Sequence, residues 1–143
     1  MDPDIQLDRP RREHRVVVLV DRPDRAAFLA VRYALSLGAQ QVRAVHPALD
    51  PDTQDELIER WMELRIPIEL DLVECRDRDV ARSLKRYVVE SMGPRTETTV
   101  VLPRRDDGTL RHRLLHDRTS RRVTRILDRY EHIDIAVVPV FLP

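Results

Sequence analysis

Residues 15–24 read RVVVLVDRPD, and this stretch decides the fold. Arg15 to Val20 is a short, continuous, β-branched run of the kind found in strands covered on both faces, as in the middle of a parallel sheet. Asp21-Arg22-Pro23-Asp24 then supplies turn and helix-start chemistry, because proline suits a first helical turn and aspartate accepts from unpaired backbone N–H groups. A helix is expected from about Asp24 to Leu37, ending at Gly38.

Strand and helix signals alternate from there on. Val42 to His46 is a second strand, and Asp50-Pro51 marks the start of a helix whose apolar face is Leu57, Ile58, Trp61, Met62 and Leu64. Ile66, Ile68, Leu70 and Leu72 alternate with polar residues and proline, which predicts a third strand at or near an edge. Val80, Leu84, Tyr87, Val88 and Met92 share a helical face closed by Gly93-Pro94. Thr98 to Leu102 is a fourth strand that Pro103 is expected to stop. Arg104 to His116 reads as a polar loop, with room for a short helix around Leu110 to Leu115. Val123, Ile126, Leu127 and Tyr130 mark the last helix, and Ile133 to Val140 the last strand. The expectation is an α/β domain: a five-stranded, mostly parallel, doubly wound sheet with helices on both faces.

Composition narrows the classes. A chain of 143 residues with 42% hydrophobic content makes one domain, read here as residues 14–143 behind a charged, disordered or linker segment at 1–13. The longest apolar run, Ile135 to Pro143, has nine residues and two prolines, too few to span a bilayer, and the amino terminus lacks the apolar centre of a secretory signal. The expected location is the cytoplasm. Neutral net charge and 4% aromatic residues disfavour nucleic-acid binding. No metal is expected, since His112 and His116, four residues apart, have no third ligand beyond Asp117. Nor is catalysis: Cys75 sits beside Glu74 and Asp77, and no nucleophile elbow or Walker loop is present.

Charge is unevenly spread. Asp50 to Asp79 carries a net charge of −7, whereas Pro103 to Arg125 carries +5, all of its basic residues arginine. Open parallel sheets bind ligands beyond the carboxyl ends of their strands, where the strand order reverses. That rule selects Asp21 and Arg22 after strand one, His46 after strand two, Arg104 and Arg105 after strand four, and His116, Arg118, Thr119 and Ser120 before the last helix. Thr119 or Ser120 is expected to cap that helix, where free N–H groups, the positive dipole end and Arg118 would receive a phosphate. Asp21 is either a helix cap or an acceptor for a sugar or base. His46 either stacks on a base or simply ends its strand. Arg122, Arg125 and Arg129 read as a solvated face.

The run RVVVLVDRPDRAAFLAVRYALSLGAQQVRAVHPAL resembles the opening β-α-β of universal stress protein domains, with aspartate after strand one and Val-His ending strand two. TTVVLPRR, LLHDRTSRRVTRIL and IDIAVVPV resemble their closing half, so the likeness spans Arg15 to Leu142. ATP-binding members carry a G-x-x-G-x9-G-[ST] phosphate loop, whereas this chain has only Gly108 between Leu102 and Thr119. HRVVVLVDR, VRAVH and LLHDRTS resemble more closely the cytoplasmic domains that follow the last membrane helix of permeases in the amino acid–polyamine–organocation superfamily, potassium importers included.

The resemblance implies a regulatory domain attached to a transmembrane permease portion, a homodimer paired through its last strand, and cyclic di-AMP as ligand. By position, Asp21 and His46 would flank adenine, while Arg104, Arg118, Thr119 and Ser120 would meet phosphate. The alternatives are a free-standing stress protein that binds ATP or AMP, and an interaction module without a nucleotide.

Overall fold

The computed structural model of the chain describes residues 13–93, 95–104 and 110–139, with side chains described except at 110–118 and 139. The linker assigned to residues 1–13 thus lies, but for Glu13, outside the described residues.

Nine elements alternate without interruption: β1 (Glu13–Leu19), α1 (Arg25–Ser36), β2 (Gln41–Ala48), α2 (Pro51–Glu63), β3 (Leu70–Glu74), α3 (Val80–Glu90), β4 (Thr96–Arg104), α4 (Leu110–Leu127) and β5 (Ile133–Pro139). The five strands form one sheet in the order β3-β2-β1-β4-β5, every pair parallel. The RVVVLV run is the central strand. Val16, Val18 and Val20 face one core with α1 and α2, while Val17 and Leu19 face a second with α3 and α4. A two-residue period with apolar residues at every position is what burial on both faces requires. Right-handed crossovers explain the layering, since stepping outward from β1 to β3 and then back across to β4 and β5 puts successive helix pairs on opposite faces.

Three aspartates start helices. Asp24 accepts from the Ala27 amide at 3.0 Å, Asp50 from Asp52 at 3.2 Å and from the Thr53 hydroxyl at 2.8 Å, and Asp79 from Arg82 at 3.2 Å. Pro51 takes the first position of α2. The Thr53 hydroxyl and the Asp52 amide hold the Asp50 carboxyl below its ordinary pKa. The cap of α1 is therefore Asp24, and Asp21 is released from that role.

Several boundaries differ from the sequence reading. The third strand begins at Leu70, not Ile66; Ile66 and Ile68 lie in the connection, still packed against the core, and the Trp61 indole donates to the Ile68 carbonyl at 3.0 Å. Leu72 is half exposed because β3 is an edge strand. On α2 only Leu57 and Trp61, one turn apart, are buried; Met62, about 100° further round, is 73% exposed, and Leu64 follows it into solvent. Pro103 does not stop β4. Pairing with β1 ends at Val101, so beyond it the missing N–H leaves no bond unmade on that side, and β4 continues to Arg104 beside β5.

Two polar clusters knit the layers. Arg15, 4% exposed, donates to the Val88 carbonyl (3.0 Å), the Ser91 carbonyl (3.1 Å), and the hydroxyls of Ser91 (2.7 Å) and Thr98 (3.2 Å), so one guanidinium fastens the end of α3 to β1 and β4. Burial lowers its pKa. Across β2 and β3, Arg43 grips Asp71 with two 2.8 Å bonds and Glu69 with one of 2.6 Å, and the Tyr87 hydroxyl donates to Asp71. The Arg43 bonds hold the Asp71 carboxyl below its usual range, while burial and Asp71 push the Tyr87 phenol up to about 12.

Candidate functional site at the carboxyl end of the sheet

The chain leaves β1 for β2 on one side and later returns to β4 on the other, so the sheet's switch point lies between β1 and β4. A cleft of about 350 Å³ opens there. Asp21 and Arg22 enter it from the end of β1, His46 and Pro47 from β2, Asp50 and Thr53 from the start of α2, and Pro103, Thr119 and Ser120 from the β4 and α4 side. The structure thus brings together five of the nine residues selected from the sequence: Asp21, Arg22, His46, Thr119 and Ser120.

His46 is the most constrained of them. It is 1% exposed, and its Nδ1 lies 2.8 Å from the Val20 carbonyl. A carbonyl oxygen only accepts, so Nδ1 carries the proton in that bond. Nε2 is buried and has no hydrogen-bond partner among the described residues. Such a nitrogen carries an uncompensated desolvation cost of about 1–3 kcal/mol. The Val20 amide in turn donates to the Val45 carbonyl at 2.9 Å, so the ends of β1 and β2 are tied both by backbone and through His46.

The helix side differs from expectation. α4 begins at Leu110, so Thr119 and Ser120 stand inside it, not at its start. Neither caps the helix, and their amides belong to its interior bonding pattern. What they offer the cleft is side-chain hydroxyls. The loop expected up to His116 is helical from Leu110 onward because only Gly108 and no proline interrupts residues 108–127. Arg105 lies outside the described residues, as do the side chains of His116 and Arg118.

Charge is also arranged differently. Among the described side chains the cleft holds one cation, Arg22, with Asp21 and Asp50. Arg22 is itself 3.7 Å from Asp24. Arg122, read as solvated, forms an ion pair with Asp79 that ties α4 to the start of α3. Arg104 is not among the residues that line the cleft. It lines an open depression with Ser120, Arg121, Thr124, Arg125 and Val137 on the flank of α4. Sequence reasoning missed Thr53 and Asp50 as cleft residues; the signal was available in Asp50-Pro51, since a helix that starts at the carboxyl end of a strand presents its first turn to the crevice.

No group of His, Cys, Asp and Glu able to hold a metal ion occurs among the described residues, and no described helix is long and apolar enough to cross a membrane.

An all-parallel sheet in this order, wound on both faces and open at its switch point, defines a Rossmann-like α/β domain. The chain belongs to the family described as the KimA potassium transporter C-terminal domain, whose profile matches residues 12–140. This agrees with the resemblance to permease C-terminal domains. No curated protein sequence matches the chain.

Proposed function

We propose that this chain is the cytoplasmic, universal stress protein-like regulatory domain of a potassium transporter of the amino acid–polyamine–organocation type, tethered at the inner face of the membrane, and that it controls transport by binding cyclic di-AMP. The observation that carries the reading is the meeting of Asp21, His46, Thr119 and Ser120 in one cleft over the switch point. Family membership supports the link to a potassium transporter. Beneath the cleft, His46 Nε2 is an acceptor held out of water, and an adenine N–H that reaches it recovers the cost of its burial. Asp21 offers a second acceptor for a base or ribose, and Thr119 and Ser120 offer hydroxyls to a phosphodiester; further phosphate contacts from Arg105, His116 and Arg118 are proposed from their place in the sequence alone.

Size bears on stoichiometry. At about 350 Å³ the cleft stands near the lower end of ligand pockets and suits one nucleotide unit. A two-fold symmetric dinucleotide is then shared between two copies, one adenine in each. The outer edge of β5, which pairs with no further strand among the described residues, is the surface on which such a homodimer pairs. The same volume favours AMP or ATP as the second reading, against which stands the lack of a glycine-rich phosphate loop.

Calorimetric titration of the chain with cyclic di-AMP, cyclic di-GMP, ATP and AMP, with and without magnesium, is the experiment. Cyclic di-AMP is expected to bind most tightly and independently of magnesium, and Arg118→Ala to weaken it by roughly 1.5–3 kcal/mol, the magnitude of a charged hydrogen bond. Equal affinity for ATP removes the cyclic dinucleotide assignment. No binding of any nucleotide leaves an interaction module.

A further inference from the structure

The geometry points to a phosphodiester subsite outside the cleft, on the flank of α4, formed by Arg104, Arg121 and Arg125; it rests on the nucleotide reading above and assigns ligand contacts to Arg121, on which the sequence reading is silent, and to Arg125, which that reading gives to solvent.

Strand alternation sets the place. Leu102 belongs to the core on the α3 and α4 face, so Arg104, two residues on, lies on that same face beyond the core's edge. Val137 pairs in register with Leu102 and forms the floor beside it. Arg121 and Arg125 are one helical turn apart and reach the same depression from α4. The depression measures about 520 Å³, and among the described residues its lining holds no carboxylate and no aromatic ring, with Thr124 and Ser120 as its hydroxyl groups. Such a lining suits an anion rather than a base.

The three guanidinium groups differ from Arg22 in the cleft and from Arg122 beside them on α4. Arg22 and Arg122 are each paired with an aspartate. Arg104, Arg121 and Arg125 make no ion pair among the described residues. Three like charges gathered around one concavity repel, and an anion relieves that repulsion while accepting bidentate bonds from planar forks. Ser120 borders both the cleft and the depression, so a ligand whose base lies by His46 passes its phosphate over Ser120 onto the arginines.

A nucleotide phosphodiester and a lipid headgroup share this chemistry, and the test separates them. The double variant Arg121→Ala/Arg125→Ala is compared with wild type and with Arg129→Ala, an exposed arginine of the same region outside the depression. All substituted positions are exposed, so the melting temperature should hold. Cyclic di-AMP affinity is expected to fall by about 10- to 100-fold in the double variant only, with a shallower salt dependence, while adenosine binding stays unchanged. Unchanged cyclic di-AMP affinity in the double variant overturns the subsite and leaves the cleft reading intact. Should that affinity hold while binding to phosphatidylglycerol vesicles is lost, the arginines contact the membrane and the proposal is equally overturned. Wild-type protein that binds neither adenosine nor cyclic di-AMP removes the nucleotide reading and the subsite with it.

Discussion

Replacing Arg15 by methionine is expected to cost about 3 kcal/mol and to lower the melting temperature by roughly 10 °C. The stem of the side chain is preserved in this variant, so the loss isolates the guanidinium. The last carbonyls of α3 have no partner within the helix, and Arg15 satisfies those of Val88 and Ser91 together with the hydroxyls of Ser91 and Thr98. Its charge also stands against the negative end of the helix. Burial of a cation opposes this, as the lowered pKa of Arg15 and its unpartnered Nε show. The two buried acceptors, the Val88 carbonyl and the Thr98 hydroxyl, decide the sign, because methionine returns nothing to them and leaves each to its own desolvation cost, whereas the groups of exposed Ser91 can turn to water. Thermal and urea unfolding give the answer; a variant as stable as wild type would mean that relief of cation burial balances the four lost bonds.

The second large effect falls on the ligand site. His46→Asn keeps an N–H where Nδ1 donates to the Val20 carbonyl and removes Nε2, whereas His46→Gln places its amide near Nε2 and gives up the Val20 bond. Cyclic di-AMP affinity is expected to fall by about tenfold or more in the asparagine variant, the worth of one hydrogen bond to a buried acceptor. The glutamine variant should bind within a few-fold of wild type and lose about 1–2 kcal/mol of stability through the orphaned carbonyl. Loss of binding in both, or in neither, would mean that Nε2 does not meet the ligand.

The central strand was legible because its signal is redundant: six apolar or aliphatic-stemmed residues in a row, a turn and a capping aspartate all demand the same element. The same holds for Asp50-Pro51 and for the α3 face from Val80 to Val88. Legibility failed where a local signal competes with tertiary context. Pro103 breaks a strand only if its N–H is needed, and here the neighbouring strand has already ended. Ile66 and Ile68 alternate like a strand yet serve as a packed connection, since the register of β3 is set by Ala44 opposite Leu70. In the site, Asp21 and His46 were found because strand ends are readable and the crevice rule follows from them. The start of α4 was not, for Thr119-Ser120 looks like a cap in any sequence, and whether the preceding turn is helical depends on what it packs against. Arg104, Arg121 and Arg125 could not be grouped from spacing alone, because their common depression exists only once β5 lies beside β4.

Titration of isotopically labelled protein with cyclic di-AMP, followed by backbone amide shifts, addresses the cleft most directly. Changes concentrated at Val20 to Arg22, at His46 and Ala48, and at Thr119 and Ser120 are the predicted result. A saturable ligand that instead moves amides of α1 and the amino ends of the strands, leaving those three segments still, would contradict it.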